Sequence, residues 1–215
     1  MFASPTQYRK ITLDMIRHGE PEGGVRYRGS IDDPLSDTGW QQMQHATGQA
    51  LSAGSQWDAI ISSPMQRCQA FASTLAEQES LTLNVIPELR ELCFGDLEGL
   101  TPTEAWAQHP ELLKNLWQDP VQHTPPGGEL YTDFTQRIQT SLDSVLADPA
   151  GERILIVAHG GVIRAALSHF LHLSPQDSFR VDVPYAGITR FKIYIEPDGS
   201  YNAALSFINR YTGQS

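Results

Sequence analysis

The sequence predicts an α/β fold of three layers, a mostly parallel central sheet with helices on both faces and a helical insertion at about residues 100–125. Short apolar runs at 11–16 and 154–158 each stop abruptly at a histidine and glycines, Arg17-His18-Gly19 and His159-Gly160-Gly161, as buried strands that deliver polar residues do. Strand-like runs alternate with helix-like ones along most of the chain, and 215 residues suit a single domain spanning 1–215. Sheets of this kind carry their sites at the carboxyl ends of the strands, where both histidines fall.

The remaining elements follow in order. Residues 20–34 are rich in Gly, Pro and charge and read as a loop. Ser36 suits the cap of a helix whose apolar stripe is Trp40, Met43, Thr47, Ala50 and Leu51. A strand at 59–61 runs into Ser62-Ser63-Pro64. Ser63 suits an N-cap and Pro64 a first helical position, with Phe71, Leu75 and Ala76 facing inward later in that helix. A third strand is expected at 83–86. Residues 100–123 hold Trp106, Trp117, Pro102, Pro110 and Pro120 with weak periodicity, which reads as an irregular helical insertion or lid. Pro125-Pro126-Gly127-Gly128 breaks the chain before a long helix over 131–146, and another helix follows His159 to about residue 171. Strands are expected at 181–183, 189–195 and 204–209, the last two flanking an Asp198-Gly199 turn.

Hydrophobic residues at 40% and charged residues at 19% are ordinary for a globular protein. A net charge of −10 argues against nonspecific binding to nucleic acid or to an anionic membrane, and makes clustered arginines more informative. Cys68 and Cys93 lack metal-ligand or disulfide-framework spacing and read as small buried hydrophobes. Residues 1–10 hold no signal-peptide core and no run reaches transmembrane length, so a cytoplasmic location is expected. No cofactor or metal is expected. His169 and His172 lie one helical turn apart without an evident carboxylate partner and read as helix C-terminal residues.

Cleaving a phosphate monoester without a metal requires a nucleophile, cations for three phosphoryl oxygens, and an acid for the leaving oxygen. Arg17 and His18 put a guanidinium fork and an imidazole at one strand end. Arg67 lies in the first turn of the helix beginning at Pro64, and His159 opens another helix, so both combine with a helix N-terminus.

Arg17-His18-Gly19-Glu20 after a strand, Asp32-Asp33-Pro34-Leu35-Ser36 leading to Gly39, and Ser62-Ser63-Pro64 with Arg67 are followed by the stretch from Glu88 to Gly99 and then by His159-Gly160. These motifs, in this order over about residues 11–170, resemble the histidine phosphatase (phosphoglycerate mutase-like) superfamily. The resemblance implies that His18 attacks phosphorus while Arg17, Arg67, His159 and Gly160 serve the phosphoryl group. It implies that Glu91, the first glutamate of E-x-x-x-G, is the general acid. A neighbouring phosphate dianion favours the protonated form that role needs. Glu98 and Asp96 are competitors read as turn and capping residues.

Two departures from the family pattern bear on substrate. The polar Asn found in many relatives six residues after the nucleophile is Gly24 here, and Arg26 or Arg28 is expected to supply the missing donor, Arg28 in particular. Residues 100–124 hold one cation, Lys114, against Glu104, Glu111 and Asp119, whereas phosphoglycerate mutases place several cations there. The expectation is a phosphatase acting on a small phosphorylated metabolite, with Trp106 or Trp117 as a stacking surface or as core. The loop from Glu20 to Gly29 resembles α-ribazole phosphatase-like members, which implies α-ribazole 5′-phosphate as a candidate substrate. A mutase and a non-catalytic phospho-ligand binder are the alternatives, and a homodimer stays open.

Overall fold

The computed structural model describes residues 8–211; residues 1–7, where part of the leader expectation falls, and residues 212–215 lie outside them. Six strands, β1 (Arg9–Arg17), β2 (Ala59–Ser62), β3 (Thr82–Val85), β4 (Arg153–Ala158), β5 (Ile188–Ile195) and β6 (Tyr201–Arg210), form one sheet in the order β3-β2-β4-β1-β5-β6. β1 and β2 flank β4 in parallel and β3 extends them, while β5 and β6 add an antiparallel edge. The order places β1 and β4 side by side at the centre, so Arg17-His18 and His159 leave the sheet together.

Alternation along the strands decides which helices cover which face. Ile11, Leu13, Met15, Ile154 and Ile156 pack with Phe134, Ile138 and Leu142 of α5 (Tyr131–Ala147) and with Val162 and Ala166 of α6 (Gly160–Leu171). Ile16, Ile60, Leu155 and Val157 point the other way, onto Met43 and Ala46 of α1 (Asp37–Ser52) and Phe71 and Leu75 of α2 (Gln66–Glu79). The insertion is two short helices, α3 (Pro102–Gln108) and α4 (Pro110–Gln118). A capping box between Thr101 and Glu104 starts α3. Ala105, Leu113 and Leu116 close over Leu97 in a small core of their own.

Three expectations are corrected. Residues 181–183 form no strand; α7 (Pro175–Phe179), capped by Ser174, precedes them, and the Val181 and Val183 carbonyls accept from arginine side chains instead of a neighbouring strand. Helix α2 begins at Gln66, not Pro64. Asp32 Oδ1, from a distant loop, accepts the Gln66 N–H at 2.7 Å, and the Ser63 hydroxyl is engaged by His159. His169 does have a carboxylate partner, because its Nε2 lies 2.8 Å from Asp143 Oδ1, with the Tyr201 hydroxyl closing the triangle.

One buried charge sits on the α1–α2 face. Asp14, 1% exposed, accepts from Arg190 Nε at 2.6 Å and from Trp57 Nε1 at 2.8 Å. Asp14→Ala strands both donors and should lower stability by about 2–4 kcal/mol in urea unfolding; a loss under about 1 kcal/mol would contradict this role.

Candidate active site

The His18 N–H donates to Ala158 O at 2.9 Å, which stitches the ends of β1 and β4 together. Its Nδ1 lies 2.7 Å from Gly19 O. A carbonyl only accepts, so Nδ1 carries the hydrogen and Nε2 presents a lone pair. The His159 ring stands edge-on to the His18 ring, with 5.2 Å between centroids. Ser63 Oγ, 2.7 Å from His159 Nε2, fixes that second ring.

Two guanidinium groups flank the pair. Arg17 stacks 4.1 Å over the Tyr185 ring and donates from Nη1 to Val183 O at 2.5 Å. Arg67 is 0% exposed and donates from Nη1 to Ile31 O at 2.8 Å, with Asp32 Oδ1 at 3.8 Å. Each leaves its Nε–H buried with no acceptor among the described residues. An orphaned buried donor costs about 1–3 kcal/mol, so two of them beside a histidine lone pair define a site built to receive an acceptor-rich anion.

The loop that holds Arg67 is itself held. The Glu98 carboxylate accepts the N–H groups of Ser30, Ile31 and Phe94 within 3.0 Å. Burial raises its pKa, but these bonds outweigh burial and hold it below the ordinary glutamate value. Gly29 belongs to the same network, since a Cβ there would lie 2.1 Å from Leu92 O.

Glu91 is buried, and both its oxygens meet backbone N–H groups, Oε1 that of Leu92 at 2.9 Å and Oε2 that of Gly161, in the first turn of α6, at 3.0 Å. Arg137 of α5 clamps the chain beneath it, donating to Glu88 O, Arg90 O and Glu91 O while paired with Glu129. Gly160 lines the cavity, yet a Cβ there would make only ordinary contacts, the nearest at 3.6 Å. The stricter glycine is Gly161, where a Cβ would lie 2.2 Å from Glu91 Oε1.

A cavity of about 250 Å³ lies over His18, lined by Arg17, Glu91 and Gly160 on its inner side. Its outer wall is Val25, Tyr27, Phe94, Leu116, Trp117 and Phe179. Trp117 therefore faces the cavity, whereas Trp106 is exposed away from it.

Arg28 reaches the cavity but is not a spare donor. Its Nε, Nη1 and Nη2 donate to Asp33 Oδ2, Gly24 O and Glu22 O within 2.6 Å, so it braces the loop. Arg26 likewise donates to Gly23 O and Gly99 O. The sequence reading missed Ser63 as the partner of His159, Gly161, Tyr185 and Arg164. The Ser62-Ser63-Pro64 motif and the doubled glycine were visible signals for the first two. Arg164, one helical turn beyond Gly160, lies in an apolar helical run and gives no local signal.

Both histidines are held well below the ordinary histidine pKa, first by burial and then by the Arg67 charge, with Arg17 adding to both. The folded protein refuses protons that the unfolded chain takes as pH falls below about 6.5, so this neutral pair contributes its full stability above that pH and loses it below.

The histidine phosphatase superfamily (branch 1) model matches residues 13–199. The chain belongs to the histidine phosphatase superfamily. It is 32% identical over 186 residues to a bifunctional protein of Mycobacterium tuberculosis, covering 86% of this chain and 50% of that one, so it spans half the length of that relative. It is 31% identical to a 2,3-bisphosphoglycerate-dependent phosphoglycerate mutase of Rhizobium etli, covering 85% of this chain and 90% of that protein. Among solved structures, mycobacterial glucosyl-3-phosphoglycerate phosphatase superposes with a TM-score of 0.78 at 26% identity, over 94% of this chain and 99% of that one.

Two outcomes follow. The midpoint of urea unfolding should drop between pH 7.5 and pH 5.5, and a flat profile would contradict the depressed histidines. Gly161→Ala should cost about 1–3 kcal/mol by displacing Glu91; unchanged stability would show that the close approach is not required.

Proposed function

We propose that this chain is a metal-independent phosphomonoesterase that hydrolyses a small phosphorylated metabolite through a phosphohistidine on His18. The observation that carries the reading is the His18 lone pair close to the Arg17 and Arg67 charges, each guanidinium keeping a buried Nε–H with no acceptor among the described residues. A phosphoryl group satisfies those donors and brings phosphorus to Nε2.

His18 Nε2 attacks phosphorus, the bond from phosphorus to the ester oxygen breaks, and the Glu91 carboxyl donates its proton to the leaving oxygen. Arg17, Arg67 and His159 spread the charge of the phosphoryl oxygens, and the Gly160 N–H at the start of α6 faces the same anion. The Glu91 carboxylate then takes a proton from water, which attacks phosphohistidine. Inorganic phosphate leaves with His18 neutral again. The depressed histidine pKa keeps the nucleophile unprotonated without a metal or a further base.

The insertion favours hydrolysis over mutase chemistry. It contributes Pro102, Leu116 and Trp117 to the cavity and no cation, so nothing from that side holds a second anion or a phosphorylated intermediate against water. Glu91, anchored in place, argues against a silent binder, which needs no acid. The Glu20 to Gly29 loop resemblance alone suggests α-ribazole 5′-phosphate, a candidate that carries no carboxylate and that a metabolite screen sets against phosphorylated carboxylic acids.

His18→Ala should abolish hydrolysis of p-nitrophenyl phosphate in a folded protein, and Glu91→Gln should slow it by about 10²–10⁴-fold. Full activity in the first variant refutes the nucleophile, and an unchanged rate in the second moves the acid elsewhere. A screen of phosphorylated metabolites including α-ribazole 5′-phosphate and 3-phosphoglycerate assigns the substrate.

A further inference from the structure

The residues just described leave one cation of the cavity unused. Arg164, on α6 one turn past Gly160, lines the same cavity as His18 and Glu91. Its Nε donates to Val181 O at 3.0 Å, and its two Nη groups have no hydrogen-bond acceptor among the described residues. The other guanidinium groups near the cavity differ. Arg28 has Asp33 at 2.6 Å, Arg67 has Asp32 at 3.8 Å and Arg26 has Glu104 at 3.8 Å. Arg164 has no carboxylate within ion-pair distance among the described residues, a property it shares only with Arg17 among the cavity's arginines.

The two unpaired guanidinium groups are held by one segment. Val183 O takes Arg17 and Val181 O, two residues earlier, takes Arg164. Arg17 Nε and Arg164 Nη1 lie 3.6 and 3.8 Å from the point where a Gly160 Cβ would stand, so both charges border the space above that glycine. Two like charges brought together in a largely apolar cavity are unfavourable until anions lie between or beside them. Burial lowers the Arg164 pKa, and the negative charge of Glu91 acts against that without forming a pair.

We propose, on the phosphatase reading above, that Arg164 is a specificity-determining residue that binds a carboxylate of the substrate, so that the preferred phosphomonoesters are small phosphorylated carboxylic acids. Arg17 and Arg67 hold the phosphoryl group, and the planar Nη1–Nη2 edge of Arg164 matches the two oxygens of a carboxylate a few bonds away. The apolar outer wall of the cavity lies over the body between these groups. The cation that the insertion lacks is thus supplied from the opposite side, by α6.

The test compares two substrates that differ in one group, 3-phosphoglycerate and glycerol 3-phosphate, the carboxylate of the first being a hydroxymethyl in the second. The wild-type chain should prefer 3-phosphoglycerate in kcat/KM by about 10- to 100-fold. Arg164→Gln should bring that ratio to within about threefold of one, chiefly through KM, with Arg164→Lys retaining part of it. A wild-type ratio near one overturns the proposal, as does a ratio that survives in Arg164→Gln. Equal losses on both substrates also overturn it, since Arg164 would then serve the phosphoryl group or Glu91. If Arg164→Gln does not fold, the Lys variant and the wild-type ratio decide. Hydrolysis of p-nitrophenyl phosphate, lost in His18→Ala, separates the two readings: without it the phosphatase assignment itself fails, and with it a flat ratio counts against Arg164 alone.

Discussion

The site depends on keeping two guanidinium groups, the half-buried Arg17 and the fully buried Arg67, beside a neutral histidine without a carboxylate hydrogen-bonded to either. An ion pair would be the ordinary way to bury arginine, but it would neutralise the charge that an incoming anion must meet. The protein uses backbone carbonyls for the hydrogen bonds and leaves Asp32, 3.8 Å from Arg67, as the one carboxylate within ion-pair distance of either group among the described residues. Val183 O holds Arg17 and Ile31 O holds Arg67, so each guanidinium is oriented by a dipole and keeps its net charge. That charge helps to hold His18 and His159 unprotonated, after burial itself.

Carbonyls can orient arginines only if the loops carrying them are rigid, and much of the remaining architecture serves that need. Glu98 gathers the N–H groups of Ser30, Ile31 and Phe94, Arg28 ties Glu22 and Gly24 to Asp33, and Asp32 caps α2. On the opposite side Arg137 grips the carbonyls of Glu88, Arg90 and Glu91, which leaves the Glu91 carboxylate to meet the first turn of α6. The sheet contributes the geometry: β1 beside β4 puts two histidines edge to edge, and the parallel pairing brings Ser63 at the end of β2 within reach.

The fold was legible where periodicity and burial agree. The apolar runs of β1 and β4 and the stripe of α1 are local signals that tertiary packing reinforces. The strand expected at 181–183 failed because an apolar triplet does not say whether its carbonyls will face another strand or an arginine. Ser63 and Pro64 looked like a helix start because that pairing is a local rule, but the histidine that claims the Ser63 hydroxyl lies 96 residues away. Arg28 was singled out as a spare cation for a related reason: a guanidinium's availability depends on the loop folded around it, which spacing does not encode. Arg164 gives no local signal, because a single arginine within an apolar helical run does not show which helix face will meet the cavity. His18, Arg17, Arg67, Glu91 and His159 were legible as a set through ordered motifs; the structure puts Arg17, His18 and Glu91 on one cavity, with His159 and Arg67 against His18.

The central claim is that phosphorus becomes bonded to His18. It is tested most directly by quenching the reaction of the chain with a 32P-labelled phosphomonoester within milliseconds and mapping the label. The account predicts an acid-labile, base-stable phosphoryl group on the peptide containing His18, formed and lost fast enough to lie on the path of turnover. Turnover with no such species, or label carried by a residue other than His18, would contradict it.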